Sequence, residues 1–115
     1  MVSDTPLIIY KICRREEWAA AQRDQVFCGS PDDLRDGFIH FSTAAQVAGT
    51  FEKYFAGETG LVLVAVDAQA LGTGLKWEPS RGGALFPHLY GELALQAVLW
   101  SRPLASIADL KQLGQ

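Results

Sequence analysis

The sequence predicts a small α+β domain. Three observations carry this: β-branched and aromatic runs at residues 7–12, 38–42 and 61–66, helical spacing of apolar residues over 14–24 and 43–55, and glycine or proline at most junctions. With 115 residues, 49% hydrophobic and 20% charged, the chain has apolar mass for one core and one domain, residues 1–115.

The elements follow in order. Residues 7–12 read as a strand whose imperfect alternation suits burial, with Pro6 confining its start. Over 14–24, two acids sit near the positive end of a helix, and Trp18 is the expected anchor to the sheet. Ser30 caps a short helix with Pro31 at its first position, and Gly37 closes it. In the strand 38–42, Phe38, His40 and Ser42 share one face, Ile39 and Phe41 the other. Thr43 and Gln46 have capping-box spacing, and Val47, Phe51, Tyr54 and Phe55 give the next helix an apolar stripe that Gly57 ends. The unbroken apolar run 61–66 is the expected central strand. Asp67 caps a single turn through Leu71, and a turn at 72–74 leads to a short strand at 75–78. Residues 79–83 form a loop whose paired glycines make it mobile or let backbone approach a ligand closely. Residues 85–90 leave it extended, 94–96 turn, and 97–100 form a strand that ends at Pro103. Ser106 caps a last helical turn through Leu113.

Composition excludes several functions. Net charge is −3 with acids and bases interleaved, so no basic face for duplex nucleic acid exists, although a small RNA end in a pocket stays open. No stretch approaches the roughly 20 apolar residues of a membrane span, and the N-terminus lacks a signal pattern, so the expected location is the cytoplasm. Cys13 and Cys28 lack CxxC spacing and read as two buried thiols. The motifs GxGxxG, GxSxG and HExxH and the Walker loop are all absent. The two histidines have no ligand spacing on one element, so no metal is expected and zinc is a third choice behind organic ligands.

The chemistry concentrates in two segments. Residues 85–92 place an imidazole, a phenol and a carboxylate between Pro87 and Gly91 and beyond, a mixture that core packing does not call for. His88 can serve there as acid, base or ligand donor, or stand at the surface of a turn that buries Tyr90. Residues 37–43 hold the other histidine, His40, which taken alone reads as a core histidine with a satisfied hydrogen bond. Glu78 and Glu92 can hold a ribose hydroxyl, orient His88, or be simply solvated. Arg81 can pair with a phosphate or be an exposed loop residue. Lys11, in a buried strand, either snorkels to water or lines a pocket. Ser42 and Thr43 are helix caps that can also face an anion. These two segments define a small-molecule pocket.

Residues 9–12, Trp18, the segment Gly37-Phe38-Ile39-His40-Phe41-Ser42-Thr43, Gln46, the strand 61–67, Glu78 and Phe86-Pro87-His88-Leu89-Tyr90-Gly91 occur in that order. Together they resemble the bacterial family known as domain of unknown function 952, over roughly residues 8–98. The resemblance implies an ADP-ribosyltransferase-like (ADP-ribosylation) fold, with two small twisted sheets over a cleft and helices outside. Relatives of that fold include RNA 2′-phosphotransferases and NAD-using toxins, which implies a cleft for NAD or an ADP-ribosyl group beside Lys11, His40, His88 and Tyr90. Two positions depart from the family pattern: Lys11 stands where many members have histidine, and Glu92 where many have proline. Glu92 therefore does not match a transferase's catalytic glutamate by motif.

The expected function is an ADP-ribosyl-type transferase or hydrolase acting on NAD or on an ADP-ribosylated or 2′-phosphorylated substrate. His88, Glu78 and Glu92 are its candidate catalytic residues, and Lys11, His40, Ser42, Arg81 and Tyr90 its candidate ligand contacts. NAD enters as a substrate, with no cofactor read from the residues. The alternatives are a non-catalytic nucleotide or metabolite-binding module, and a protein-interaction domain presenting Trp77 and Trp100.

Overall fold

The computed structural model describes residues 7–111 and Leu113, with Arg81 placed by its backbone alone. The expectation for Pro6 lies outside the described residues. The chain is α+β: strands β1 (Ile8–Arg14), β2 (Val26–Phe27), β3 (Ile39–His40), β4 (Leu61–Asp67), β5 (Leu75–Pro79), β6 (Leu85–Leu89), β7 (Leu93–Ala94) and β8 (Val98–Leu104), with helices α1 (Arg15–Asp24), α2 (Pro31–Asp36) and α3 (Val47–Tyr54). All ladders are antiparallel. Two three-stranded sheets, β1-β4-β8 and β3-β6-β5, stand beside a two-stranded ladder, β2-β7, where two sheets were expected. The β2-β7 ladder, at two residues a strand, is too short to show as a strand pattern.

The sheet β1-β4-β8 is covered on both faces, which explains the continuous apolar run of β4. Ile9, Cys13, Val64 and Val66 belong to one core cluster with Trp18, Phe27, Ile39, Phe41 and Leu89. Tyr10, Ile12, Leu61, Leu63 and Ala65 belong to the other, with Val47 of α3, Leu104 and Leu110. Trp18 anchors α1 as expected, being 5% exposed, with its Nε1–H donating to Ser101 Oγ at 3.2 Å.

Helix α2 follows its sequence signals closely. Ser30 Oγ accepts from Asp33 N–H at 3.3 Å, Asp33 Oδ2 accepts from Ser30 N–H at 2.9 Å, and Gly37 ends the helix at φ 88°. Elsewhere the structure corrects the sequence. The strand expected at 38–42 narrows to β3, because Phe41 N–H turns to Pro87 C=O (3.0 Å) on one sheet, and Ser42 and Tyr10 exchange backbone bonds (2.8 and 2.9 Å) on the other. This segment therefore stitches the two larger sheets together. Helix α3 starts at Val47, after a turn in which the Gln46 side chain accepts from Thr43 N–H, and it ends at Tyr54. Strand β8 runs through Pro103 to Leu104; among the described residues it pairs only with β4, so a proline at this sheet edge breaks no ladder. The loop after β5 is a tight hairpin turn closed by Ser80 N–H to Ala84 C=O at 2.9 Å, with Gly82 and Gly83 both at positive φ.

Cys13 is buried, and burial pushes its thiol up to about 12, whereas Cys28 is exposed rather than buried as expected. Trp77 and Trp100 are half-buried, packed against the first and second core clusters, and Arg102 covers the Trp100 ring at 4.4 Å. No helix among the described residues is long and apolar enough to cross a membrane.

Core position dictates the first test. Leu63 is fully buried in the central strand, and Leu99 is half exposed on the edge strand. Leu63→Ala should destabilise the protein by about 2–5 kcal/mol in urea unfolding, and Leu99→Ala by less than about 1 kcal/mol.

Candidate functional site

The segment between the sheets brings α2, β1, β3 and β6 to one point. On β1 the face that carries Ile9 and Cys13 also carries Lys11, which is 7% exposed. A buried ammonium must find an anion. It finds Asp33, at 3.0 Å from Oδ1 and 2.9 Å from Oδ2, with the carboxylate side chain 1% exposed. Lys11 therefore does not snorkel.

Asp33 does more than cap its helix. Oδ1 also accepts from the backbone N–H of His40 at 3.1 Å and lies 2.6 Å from His40 Nδ1. Burial pushes the Asp33 carboxyl up, but hydrogen bonds from His40, the Lys11 ammonium and the Ser30 N–H outweigh it and hold the group well below the usual carboxylate range. The far nitrogen of the same ring, Nε2, is 3.0 Å from Asp36 Oδ2. Asp36 is lowered as well, chiefly by its hydrogen bond from Arg35.

The second histidine has a separate partner. His88 Nδ1 lies 2.8 Å from Glu78 Oε1, and the same oxygen accepts from Tyr90 Oη at 2.8 Å. Bonds from His88 and then Tyr90 lower Glu78, and the carboxylate in turn raises the Tyr90 phenol. Phe38 packs among all three rings, stacked on His88 at 4.1 Å, with His40 at 4.6 Å and Tyr90 at 5.2 Å. Register does the rest: His40 and His88 are directly paired between β3 and β6.

Lys11, Asp33, Asp36, His40 and His88 border an open cleft of about 150 Å³. Its polar wall includes Lys11, Ser30, Asp32, Asp33, Arg35, Asp36, His40, Ser42 and His88, and its aromatic wall includes Tyr10, Tyr54, Phe55 and Phe86. Of the expected residues, Lys11, His40, Ser42 and His88 line it. Ser42 Oγ is 2.9 Å from Thr50 Oγ1. Glu78 and Tyr90 stand behind His88 rather than on the cleft wall. Glu92 is apart from all of them, accepting from Cys28 Sγ at 3.4 Å on the exposed surface. The Arg81 side chain lies outside the described residues. No cluster of three metal-binding side chains forms among the described residues.

Asp33, Asp36 and Phe38 were not singled out from the sequence. Asp33 was hidden because helix capping alone accounts for it. The signal available was Lys11: a lysine in an apolar strand demands a carboxylate, and the acids nearest the His40 segment are Asp32, Asp33 and Asp36.

Residues 12–101 match the sequence model of a family described as protein of unknown function (DUF952). The X-ray structure of protein CC0527 from Caulobacter crescentus is similar, at 46% identity and TM-score 0.84, covering 89% of this chain and 96% of that one. The solution NMR structure of CC0527 is also similar, at 50% identity and TM-score 0.79, covering 90% of each chain. No curated protein matches.

Asp33→Asn would leave the Lys11 ammonium buried without its anion, and should destabilise the protein by about 3–5 kcal/mol at pH 7. The sign of the pH dependence follows from the lowered carboxyl. Below the unfolded value of about 3.9, the unfolded chain binds a proton that the native chain refuses, so stability falls as pH falls. Urea titrations from pH 6 to pH 2 should show this acid loss in the native sequence and a flatter profile in Asp33→Asn.

Proposed function

The chain belongs to the DUF952 family, and we propose that its cleft binds a nucleotide-type ligand and acts on a ribosyl bond, as an ADP-ribosyl-type transferase or hydrolase. The paired sheets over a cleft are compatible with an ADP-ribosylation-like fold, which this reading adopts. The observation that carries it is the Glu78–His88 contact at 2.8 Å, in a histidine that lines the cleft.

With Nδ1 committed to an ionised carboxylate, the ring presents Nε2 to a ligand as a proton acceptor. Tyr90 fixes Glu78 from the other side, so the imidazole is oriented before any ligand arrives. Breaking a ribosyl bond develops positive charge on the sugar, and the cleft wall carries three acids, Asp32, Asp33 and Asp36, against two cations, Lys11 and Arg35. The aromatic wall, Tyr10, Tyr54, Phe55 and Phe86, suits a flat base or nicotinamide ring. By sequence Glu78 and Glu92 are both candidate catalytic residues. In this reading Glu78 acts through His88, and Glu92 has no part.

One observation favours a second reading, a binding module without chemistry. The Lys11 ammonium and both ring nitrogens of His40 are already engaged by carboxylates.

Two measurements test the pair. Thermal unfolding with NAD, ADP-ribose or nicotinamide at about 100 times the dissociation constant should raise Tm by roughly 10 °C for a true ligand, and His88→Ala should abolish the shift. In Glu78→Gln, release of nicotinamide or ADP-ribose should fall by at least about 100-fold with affinity retained. Absence of any shift in the native protein contradicts a nucleotide ligand, and a shift without turnover selects the binding module.

A further inference from the structure

His40 and His88 face each other with ring centroids 5.5 Å apart in an edge-on arrangement, close enough for one reacting bond to meet both. Their surroundings differ in the carboxylates they meet. His40 has a carboxylate at each nitrogen, Asp33 Oδ1 at 2.6 Å from Nδ1 and Asp36 Oδ2 at 3.0 Å from Nε2. His88 has one, Glu78 Oε1 at 2.8 Å from Nδ1.

A carboxylate only accepts, so each contact requires an N–H from the ring. An imidazole with a single N–H satisfies Glu78 and keeps a lone pair on Nε2. Satisfying Asp33 and Asp36 together takes both N–H groups of an imidazolium. Asp33, Asp36 and Glu78 all lie below the usual carboxylate range, so none supplies the missing proton itself. The cations nearby are already directed at these acids: Lys11 of β1 at Asp33 and Arg35 of α2 at Asp36. His40 is also the more accessible ring, with its side chain 35% exposed against 5% for His88.

We propose that the two histidines form a split acid–base pair, with His40 the general acid and His88 the general base acting on one ribosyl bond. This rests on the ribosyl reading above and narrows its substrate class. The preferred substrate carries a leaving group that needs a proton, such as an O-linked ADP-ribosyl group on an alcohol. NAD is the less demanding substrate, because its nicotinamide is cationic while bound and departs neutral without a proton.

The hydrolytic step balances without any oxidant or reductant. The bond from the anomeric carbon to the leaving oxygen breaks, and its electron pair passes to that oxygen, which takes the Nε2 proton of His40. A water oxygen bonds to the anomeric carbon and gives its proton to His88 Nε2. His40 ends neutral and His88 protonated. Loss of a proton from His88 to solvent and gain of one by His40 restores the start. In the free protein Asp36 occupies the place of the leaving oxygen, and Arg35 holds it on its other side.

The test compares a serine-linked ADP-ribosyl peptide with NAD as substrates of the native protein, His40→Asn and His88→Asn. The loss of kcat in His40→Asn should be at least about 30-fold greater on the peptide than on NAD, whereas His88→Asn should lose about 100-fold or more on both. An equal loss on both substrates in His40→Asn, or native turnover of NAD without turnover of the peptide, overturns the acid assignment and leaves the ribosyl reading standing. No turnover of either substrate by the native protein overturns both. The ring ¹⁵N spectrum of the native protein at pH 7 gives a readout independent of variant folding. Two protonated nitrogens on His40 and one on His88 are expected, and a singly protonated His40 overturns the proposal.

Discussion

An ammonium group on the core-facing side of a strand has to be neutralised or held by an anion that is itself buried, and in this protein that constraint ties together sequence-distant elements. Lys11 reaches Asp33, and Asp33 reaches Ser30 and His40, so one carboxylate joins β1, the start of α2 and β3. Such a pair gains little over well-packed apolar residues, yet losing one member leaves a bare charge in the core. Its value is geometric. It fixes where α2 lies, and with α2 it fixes Asp36 and the wall of the cleft.

The second constraint is backbone pairing. Residues 39–42 leave one sheet and enter the other within four positions, through Phe41 to Pro87 and Ser42 to Tyr10. His40 and His88 consequently meet as cross-strand partners in β3 and β6, and Phe38 fills the space between them and Tyr90. Short strands suffice because each ring is held by a carboxylate as well as by the ladder. The arrangement separates the two imidazoles chemically while keeping them adjacent, since α2 supplies acids to one and β5 to the other.

Much of this was legible in the sequence where the signal is local. The helix over 31–36 was announced by Ser30, Pro31 and Gly37, each acting within one turn, and the central strand by an apolar run that only a doubly covered sheet needs. His88, Tyr90 and Glu78 were singled out, and the structure brings them together. What was not legible depended on contacts across the chain. Asp33 satisfied a local rule and so concealed its distant bonds to Lys11 and His40. Pro103 reads as a strand end until the strand is known to be an edge. Glu92 is near His88 in sequence, but Gly91, at φ 135°, separates them, and Glu92 ends beside Cys28.

The Lys11–Asp33 pair is energetically coupled and organises the cleft. A double-mutant cycle of Lys11→Met, Asp33→Asn and the double variant, by urea unfolding at pH 7, measures that coupling directly. The double variant should recover at least about 2 kcal/mol relative to the sum of the single losses, because neither charge is then left buried alone. Additive losses, with coupling below about 0.5 kcal/mol, would contradict it.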